Sequence, residues 1–254
     1  MTGPATRQAA KRIKPQPKRS RETRERLLEV AGQVFAEKGY ERTTAKEIAK
    51  RAKINPAAIN YYFSGVDELY IAVIEEARAR AVTFEKLSAS IAGIADPAGK
   101  LRAMLDFFVQ LGTGPFASSW MARIFAREMV SPSPVINRIS WLDTRKRLNL
   151  LREIVGEYLG LPSSHPDVAY VCWSLAAPLS VLLTADQKRF ARIFPEVDLG
   201  PKGAARLSEH MAKFAFGGLR AIASEVWDET SARNGIGTKD EHTRGDVCDG
   251  RTVA

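Results

Sequence analysis

Few residues in this chain could carry covalent or metal chemistry. The three histidines, His165, His210 and His242, are scattered, and the two cysteines, Cys172 and Cys248, form no C-x-x-C. Neither set has metal-ligand spacing, and two cysteines make no disulfide framework. His165 is hemmed between Ser164 and Pro166, and His210 falls on an amphipathic stretch. The sequence holds no Ser-x-x-Lys, G-x-S-x-G, P-loop or H-E-x-x-H. Each of those spacings sets a nucleophile beside its base, a cradle around phosphate, or two ligands on a metal. No catalytic residue, metal or cofactor is therefore expected, and an enzyme is disfavoured.

A different chemistry is concentrated between residues 43 and 63. Thr43, Thr44 and Lys46 come first, then Asn55-Pro56-Ala57-Ala58-Ile59-Asn60-Tyr61-Tyr62-Phe63. Threonine hydroxyls, a lysine and a helix N-terminus suit phosphate oxygens. Asn60 has the donor and acceptor that match an adenine edge. Ala57 and Ala58 are small enough to meet thymine methyls or admit a close backbone. Tyr61 and Tyr62 are amphipathic and expected to point outward.

Those side chains need elements to hold them. Leu27, Ala31, Val34 and Phe35 share one helix face, and Gly39 stops that helix just after Lys38. Thr44 and Glu47 form a capping box for a short second helix with Ile48, Ala49 and Ala52 inward. Asn55 as N-cap and Pro56 in the first turn open a third. The turn Lys53-Ile54-Asn55 joins the two, with Ile54 as the plug. This is a helix-turn-helix, whose last helix enters the major groove by its N-terminal residues. Spacing alone also admits a plain three-helix domain with solvated polar faces.

Charge supports a polyanionic partner. Residues 1–19 hold six cations and no acid, out of a net charge of +9 for the chain. Such an arm adds non-specific, salt-sensitive affinity or merely keeps the protein soluble. Length and composition, 254 residues with 45% apolar and 26% charged, fit a globular protein of two small domains or one large one. The first 26 residues have no apolar signal-peptide core. Val168 to Ala185 runs 18 residues without a charge. It only just reaches spanning length and contains Ser174, Pro178, Ser180 and Thr184, so a buried or interface helix is expected instead of a membrane segment.

Beyond residue 66 helical spacing continues. Leu69, Val73 and Ala77 point inward on one helix, and Pro97 opens another with Leu101, Met104, Leu105 and Phe108. Phe116, Trp120 and Ile124 mark a third, ended by Ser131-Pro132-Ser133-Pro134. A long amphipathic stretch then reaches Leu159, and the last two helices start near Asp167 and Ala204. The class is all-α. The expected organisation is a disordered basic arm at 1–20 and a DNA-binding domain at 21–66. A helical ligand-binding and dimerisation domain follows at 67–230, then a disordered tail at 231–254. Aromatic residues suggest an apolar effector pocket around Phe108, Trp120, Trp141 and Trp173, with Arg123, Arg127 and Glu128 as candidate polar anchors. A single aromatic at helical spacing is more often core than pocket. Val171, Leu175, Leu179 and Leu182, with Phe214, Gly217 and Gly218, are the candidate dimer interface. Pro178 predicts a kink.

The run Gly39 to Ala49, then Ala52 to Phe63, then Asp67-Glu68-Leu69, resembles the N-terminal domain of TetR-family regulators. The resemblance covers about residues 21–70. It implies binding of a pseudo-palindromic operator in double-stranded DNA by a cytoplasmic homodimer. It also implies a small-molecule effector that releases the DNA, and it favours repression over activation. Thr43 and Thr44 stand where the family contacts phosphates. Tyr61 and Tyr62 stand where its aromatic or histidine residues meet the backbone. Lys53 replaces a common glycine, and Val66 replaces a common lysine. Arg127-Glu128-Met129, Ser131 to Pro134, Glu209-His210 and Phe216 to Arg220 resemble the CecR-like branch more loosely. The alternative is a non-specific or architectural DNA-binding protein dominated by its arm.

Overall fold

The computed structural model describes residues 18–233, with side chains from 20 to 228. Among these residues there are eleven α-helices, two short 3-10 turns and no strand. The basic arm and the tail lie almost entirely outside the described residues. Their expected edges move slightly: α1 (Lys18–Lys38) already includes Lys18 to Ser20, and α11 (Ala204–Arg233) runs past residue 230.

Helices α1, α2 (Ala45–Ala52), α3 (Ala57–Phe63) and α4 (Val66–Ala81) follow the expected order. Leu27, Ala31, Val34 and Phe35 on α1 are fully buried, as their spacing requires. Gly39 takes φ +82° and donates its N–H to the Phe35 carbonyl at 2.8 Å. The Thr44 hydroxyl accepts the Glu47 N–H at 3.3 Å. The Glu47 carboxylate pairs with Lys38 at 2.6 Å, tying α2 to the end of α1. At α3 the structure shifts the expected cap by one residue. Pro56 takes the cap position with helical angles, and Asn55 Oδ1 accepts the Ala57 N–H at 2.9 Å. Proline has no N–H to offer, so the asparagine oxygen reaches the next donor.

The turn between α2 and α3 is held by backbone geometry. Lys53 sits in the left-handed region at φ 53°, and Ile54 donates to the Ala49 carbonyl at 3.1 Å. Arg26 Nη2 caps the Ala52 carbonyl from α1 at 2.6 Å. A side chain in this conformation costs roughly 1–2 kcal/mol that glycine avoids. Lys53 is exposed and holds no packing in compensation. Lys53→Gly is therefore expected to stabilise the fold by about 1 kcal/mol, raising Tm by roughly 2–4 °C. A thermal melt with unchanged or lowered Tm would contradict this account of the turn.

The larger part holds α5 (Phe84–Ser90), α6 (Pro97–Thr113), α7 (Trp120–Val130), α8 (Leu142–Leu159), α9 (Pro166–Thr184), α10 (Gln187–Ile193) and α11. Helix α6 is central, packing against α8, α9 and α11. Two helices were not foreseen as separate elements. Each spans 7 residues. Leu87 is the buried residue of α5, and α10 is cut from α9 by Asp186, which caps Lys188 and Arg189. α9 continues through Pro178 as one helix. It is the one described helix long and apolar enough to cross a membrane by length and composition. Here it packs on α6, α7 and α8.

No break separates the two parts at residue 66. α4 begins there, and its Leu69, Tyr70, Val73, Ile74 and Ala77 lie in the same core as α1, α2 and α3. Trp120 and Ile124 of α7 join that core from the C-terminal side.

Candidate DNA-binding surface and effector cleft

The α2–α3 unit presents a largely polar surface on which most of the candidate DNA-binding residues are exposed. Thr44, Lys46, Asn55, Pro56, Ala57 and Asn60 are exposed, and Tyr61 is 78% exposed. Ala58 and Tyr62 are half-buried. The Tyr62 hydroxyl accepts from Ser20 Oγ at 3.3 Å, and its ring meets Tyr61 edge-on at 4.9 Å. Thr43 is only 7% exposed, and its hydroxyl donates to the Gly39 carbonyl at 2.7 Å. That hydroxyl fastens the turn after α1 and is not free for phosphate. Val66, standing where the family commonly has a lysine, packs partly against the core.

Behind this surface, α7 grips the helix-turn-helix at three points, and these overturn part of the expected pocket. The Trp120 indole lies over Gly32 of α1, where an added Cβ would stand 2.6 Å from the ring. Its Nε1 donates to Glu29 at 2.8 Å, and the side chain is buried. Arg127 donates to the Ala36 and Glu37 carbonyls at 3.0 and 2.9 Å, satisfying the C-terminal end of α1. Trp120 and Arg127 are thus engaged in packing and capping, and neither lines the cleft described next. Glu128 accepts the Tyr70 hydroxyl at 2.7 Å and the Ser133 N–H at 3.1 Å. Burial, then the bond to Glu128, raises the Tyr70 pKa well above the ordinary phenol value. Glu128 also borders the cleft described next, so that its carboxylate joins cleft and helix-turn-helix core. Arg123 is exposed, and Trp173 is 76% exposed on the outer face of α9; neither lines that cleft.

The cleft consists of two apolar cavities of about 310 and 340 Å³. The first is walled by α4, α6, α7, α8 and α9, with Ile74, Phe116, Phe125 and Trp141 among its lining. The second lies between α6, α8 and α9, with Met104, Leu148 and Leu151. Phe108, Thr144, Arg147, Ser180 and Leu183 line both, so the cavities meet there. Phe108 and Trp141 are the two expected aromatic contacts that this cleft contains. Sequence reasoning missed Arg78 and Arg147. The signal was present: Tyr70, Ile74, Arg78 and Ala81 form one stripe, as do Thr144, Arg147, Leu148 and Leu151. An arginine continuing an apolar stripe faces an interior.

The candidate dimer residues divide. Val171, Leu175, Leu179 and Leu182 are each at most 9% exposed and pack inside the protomer against α6, α8 and α11. They serve the chain's own core, contrary to expectation. The face of α9 left open carries Tyr170, Trp173, Ala177, Pro178 and Val181. Phe214 is 81% exposed on α11, and neither Gly217 nor Gly218 has a neighbour within 4 Å of an added Cβ. A 250 Å³ apolar groove runs between the two helices.

Comparison with known proteins agrees with this geometry. The profile "Bacterial regulatory proteins, tetR family" matches residues 27–73. "HTH-type transcriptional dual regulator CecR, C-terminal domain" matches residues 97–219. The HTH-type transcriptional repressor NicS of Pseudomonas putida is 29% identical over 140 residues, 55% of this chain; the matched stretch spans only 59% of NicS. Among solved structures, the fatty acid degradation regulator FadR of Bacillus halodurans shares the fold at TM-score 0.56 and 21% identity, covering 82% of this chain and 99% of FadR. FadR of Bacillus subtilis, solved with stearoyl-CoA, shares it at TM-score 0.55 and 20% identity, covering 75% of this chain and 96% of its own. Residues 27–73 thus carry the DNA-binding domain of the TetR family of bacterial regulatory proteins, and residues 97–219 a CecR-type C-terminal domain.

Proposed function

We propose that this protein is a cytoplasmic, dimeric transcriptional repressor that releases a pseudo-palindromic operator when a small molecule fills the cleft. One observation carries the reading. Helix α4 supplies Leu69, Tyr70 and Val73 to the helix-turn-helix core and Ile74, Arg78 and Ala81 to the cleft wall. A ligand that moves one end of a single 16-residue helix moves the other. Two recognition helices must sit about 34 Å apart, or a multiple of that, to meet successive half-sites. A ligand favouring another spacing weakens DNA binding by its differential affinity for the two states, and DNA weakens ligand binding reciprocally. The family match, the repressor NicS and the stearoyl-CoA complex of Bacillus subtilis FadR support the reading.

The exposed polar set Thr44, Lys46, Asn55, Pro56, Ala57, Asn60 and Tyr61, with Ala58 and Tyr62 beside it, faces the DNA in this proposal. The test is a salt titration by fluorescence anisotropy, with DNA from upstream of the protein's own gene beside a random duplex. The upstream fragment is expected to bind ~10³-fold tighter or more at physiological salt. Equal binding that falls steeply with salt would point instead to the six-cation arm and an architectural role.

A further inference from the structure

The point where the two cavities meet is not neutral. Thr144 Oγ1 accepts from two guanidinium groups, Arg78 Nη2 at 2.7 Å and Arg147 Nη2 at 3.1 Å. Two like charges thus converge on one hydroxyl beside apolar walls. Arg78 comes from α4 and donates also to the Ser140 carbonyl at 2.8 Å, with its guanidinium over the Trp141 ring. Arg147 comes from α8 and donates Nε to Asp143 Oδ2 at 2.9 Å. Asp143 is itself engaged, its other oxygen accepting the Phe84 N–H at 2.9 Å. Glu128 borders the first cavity, but its two oxygens are taken by Tyr70 and Ser133. Glu75, Glu85 and Lys146 lie with Arg78 along an outer groove and leave the inner junction to the two arginines. Burial and the charge of Arg147 lower the Arg78 pKa, as crowding of cations requires.

We propose that the effector is an elongated amphipathic anion, its anionic head bound between Arg78 and Arg147 and its apolar chain lying in the cavities beside Phe108. The inference rests on the reading of the cleft as the effector site and adds the chemical class. Two apolar cavities of about 310 and 340 Å³ that share Phe108, Ser180 and Leu183 beside the arginines give room for an apolar chain attached to the head. A head group seated there bridges α4 to α8. It therefore acts on the helix that enters the helix-turn-helix core. Two sources share this chemistry, a free long-chain carboxylate and the phosphates of an acyl thioester of coenzyme A.

Isothermal titration of the full-length protein tests this with octanoate, dodecanoate and hexadecanoate, the alcohols of the same lengths, and dodecanoyl-CoA. At the best chain length the acid is expected to bind at least about tenfold tighter than its alcohol, the size of a charge-assisted contact. Arg147→Gln should reduce that ratio to near one while alcohol binding persists, which shows that the cleft still folds. Arg147→Lys should restore part of it. Tighter binding of dodecanoyl-CoA than dodecanoate, also lost in Arg147→Gln, assigns the anion to the thioester's phosphates. Equal affinity for acid and alcohol, or a preference that survives Arg147→Gln, overturns the anionic head and leaves the cleft as the effector site. Absence of binding by every chain, in protein that still binds its operator, overturns both.

Discussion

Replacing Asn60 and Tyr61 by alanine together is expected to weaken operator binding by about 10²- to 10³-fold and leave the fold and dimer intact. Both side chains are exposed, and neither belongs to the core that Ile59 and Phe63 make with α1 and α4. Their loss creates no cavity, so stability should stay within about 0.5 kcal/mol of wild type. Their loss at DNA is larger. One well-made base-edge contact is worth about 1–3 kcal/mol of discrimination, and a tyrosine on the sugar-phosphate backbone adds a positioning contact. A dimer loses each contact twice. Binding to a random duplex should change much less, since Lys46 and the arm's cations remain. The measurement is anisotropy on both duplexes, with circular dichroism and sedimentation on the variant. Retention of the sequence preference would refute the contact assignment.

Thr44→Val would separate the two threonines further. Thr44 caps α2 from an exposed position, whereas the Thr43 hydroxyl is spent on Gly39. Both readings started from identical chemistry at adjacent positions. Only the turn, in which Gly39 takes a left-handed conformation and offers its carbonyl back, decides which hydroxyl faces solvent.

That pair illustrates what could be read in advance. Caps, turns and stripes act over three or four residues, so α1 to α4, the stop at Gly39, the cap at Thr44 and the start of α6 at Pro97 were all legible. Partners that lie far away in the chain were not. Trp120 has the composition of a pocket aromatic, yet it is committed to Gly32, a small residue on another helix that admits the indole. Arg127 reads as a free anchor until it is seen to donate to the Ala36 and Glu37 carbonyls at the end of α1. For α9 the period was right and the assignment inverted. An 18-residue uncharged run is apolar on every face, so periodicity cannot say which stripe serves the chain's own core. The buried stripe runs through the aliphatic residues Val171, Leu175, Leu179 and Leu182, while Tyr170 and Trp173 stay outside. Amphipathic aromatics tolerate both water and a partner, which suits a surface covered only on assembly.

That outer face leads to the second large effect. Trp173→Glu combined with Phe214→Glu is expected to convert a dimer into a folded monomer and lower operator affinity by at least about 10²-fold. Trp173 and Phe214 are 76% and 81% exposed in the protomer, so neither substitution disturbs its core. In a two-fold dimer the same patch meets itself, and each substitution places two carboxylates in the apolar contact. Burying an unpaired carboxylate costs several kcal/mol, and carboxylates related by the two-fold axis repel. The groove beside Phe214, lined by Leu175, Pro178 and Gly218, is where a partner helix can approach, because Gly217 and Gly218 offer no side chain to hold it off. Sedimentation equilibrium should give the 28.0 kDa of one chain in place of twice that mass. Operator binding falls with it because a lone recognition helix contacts one half-site and loses the gain from linking two. A variant that still sediments as a dimer would place the interface elsewhere. A clean monomer that still binds operator at wild-type affinity would break the link between assembly and DNA recognition on which effector release depends.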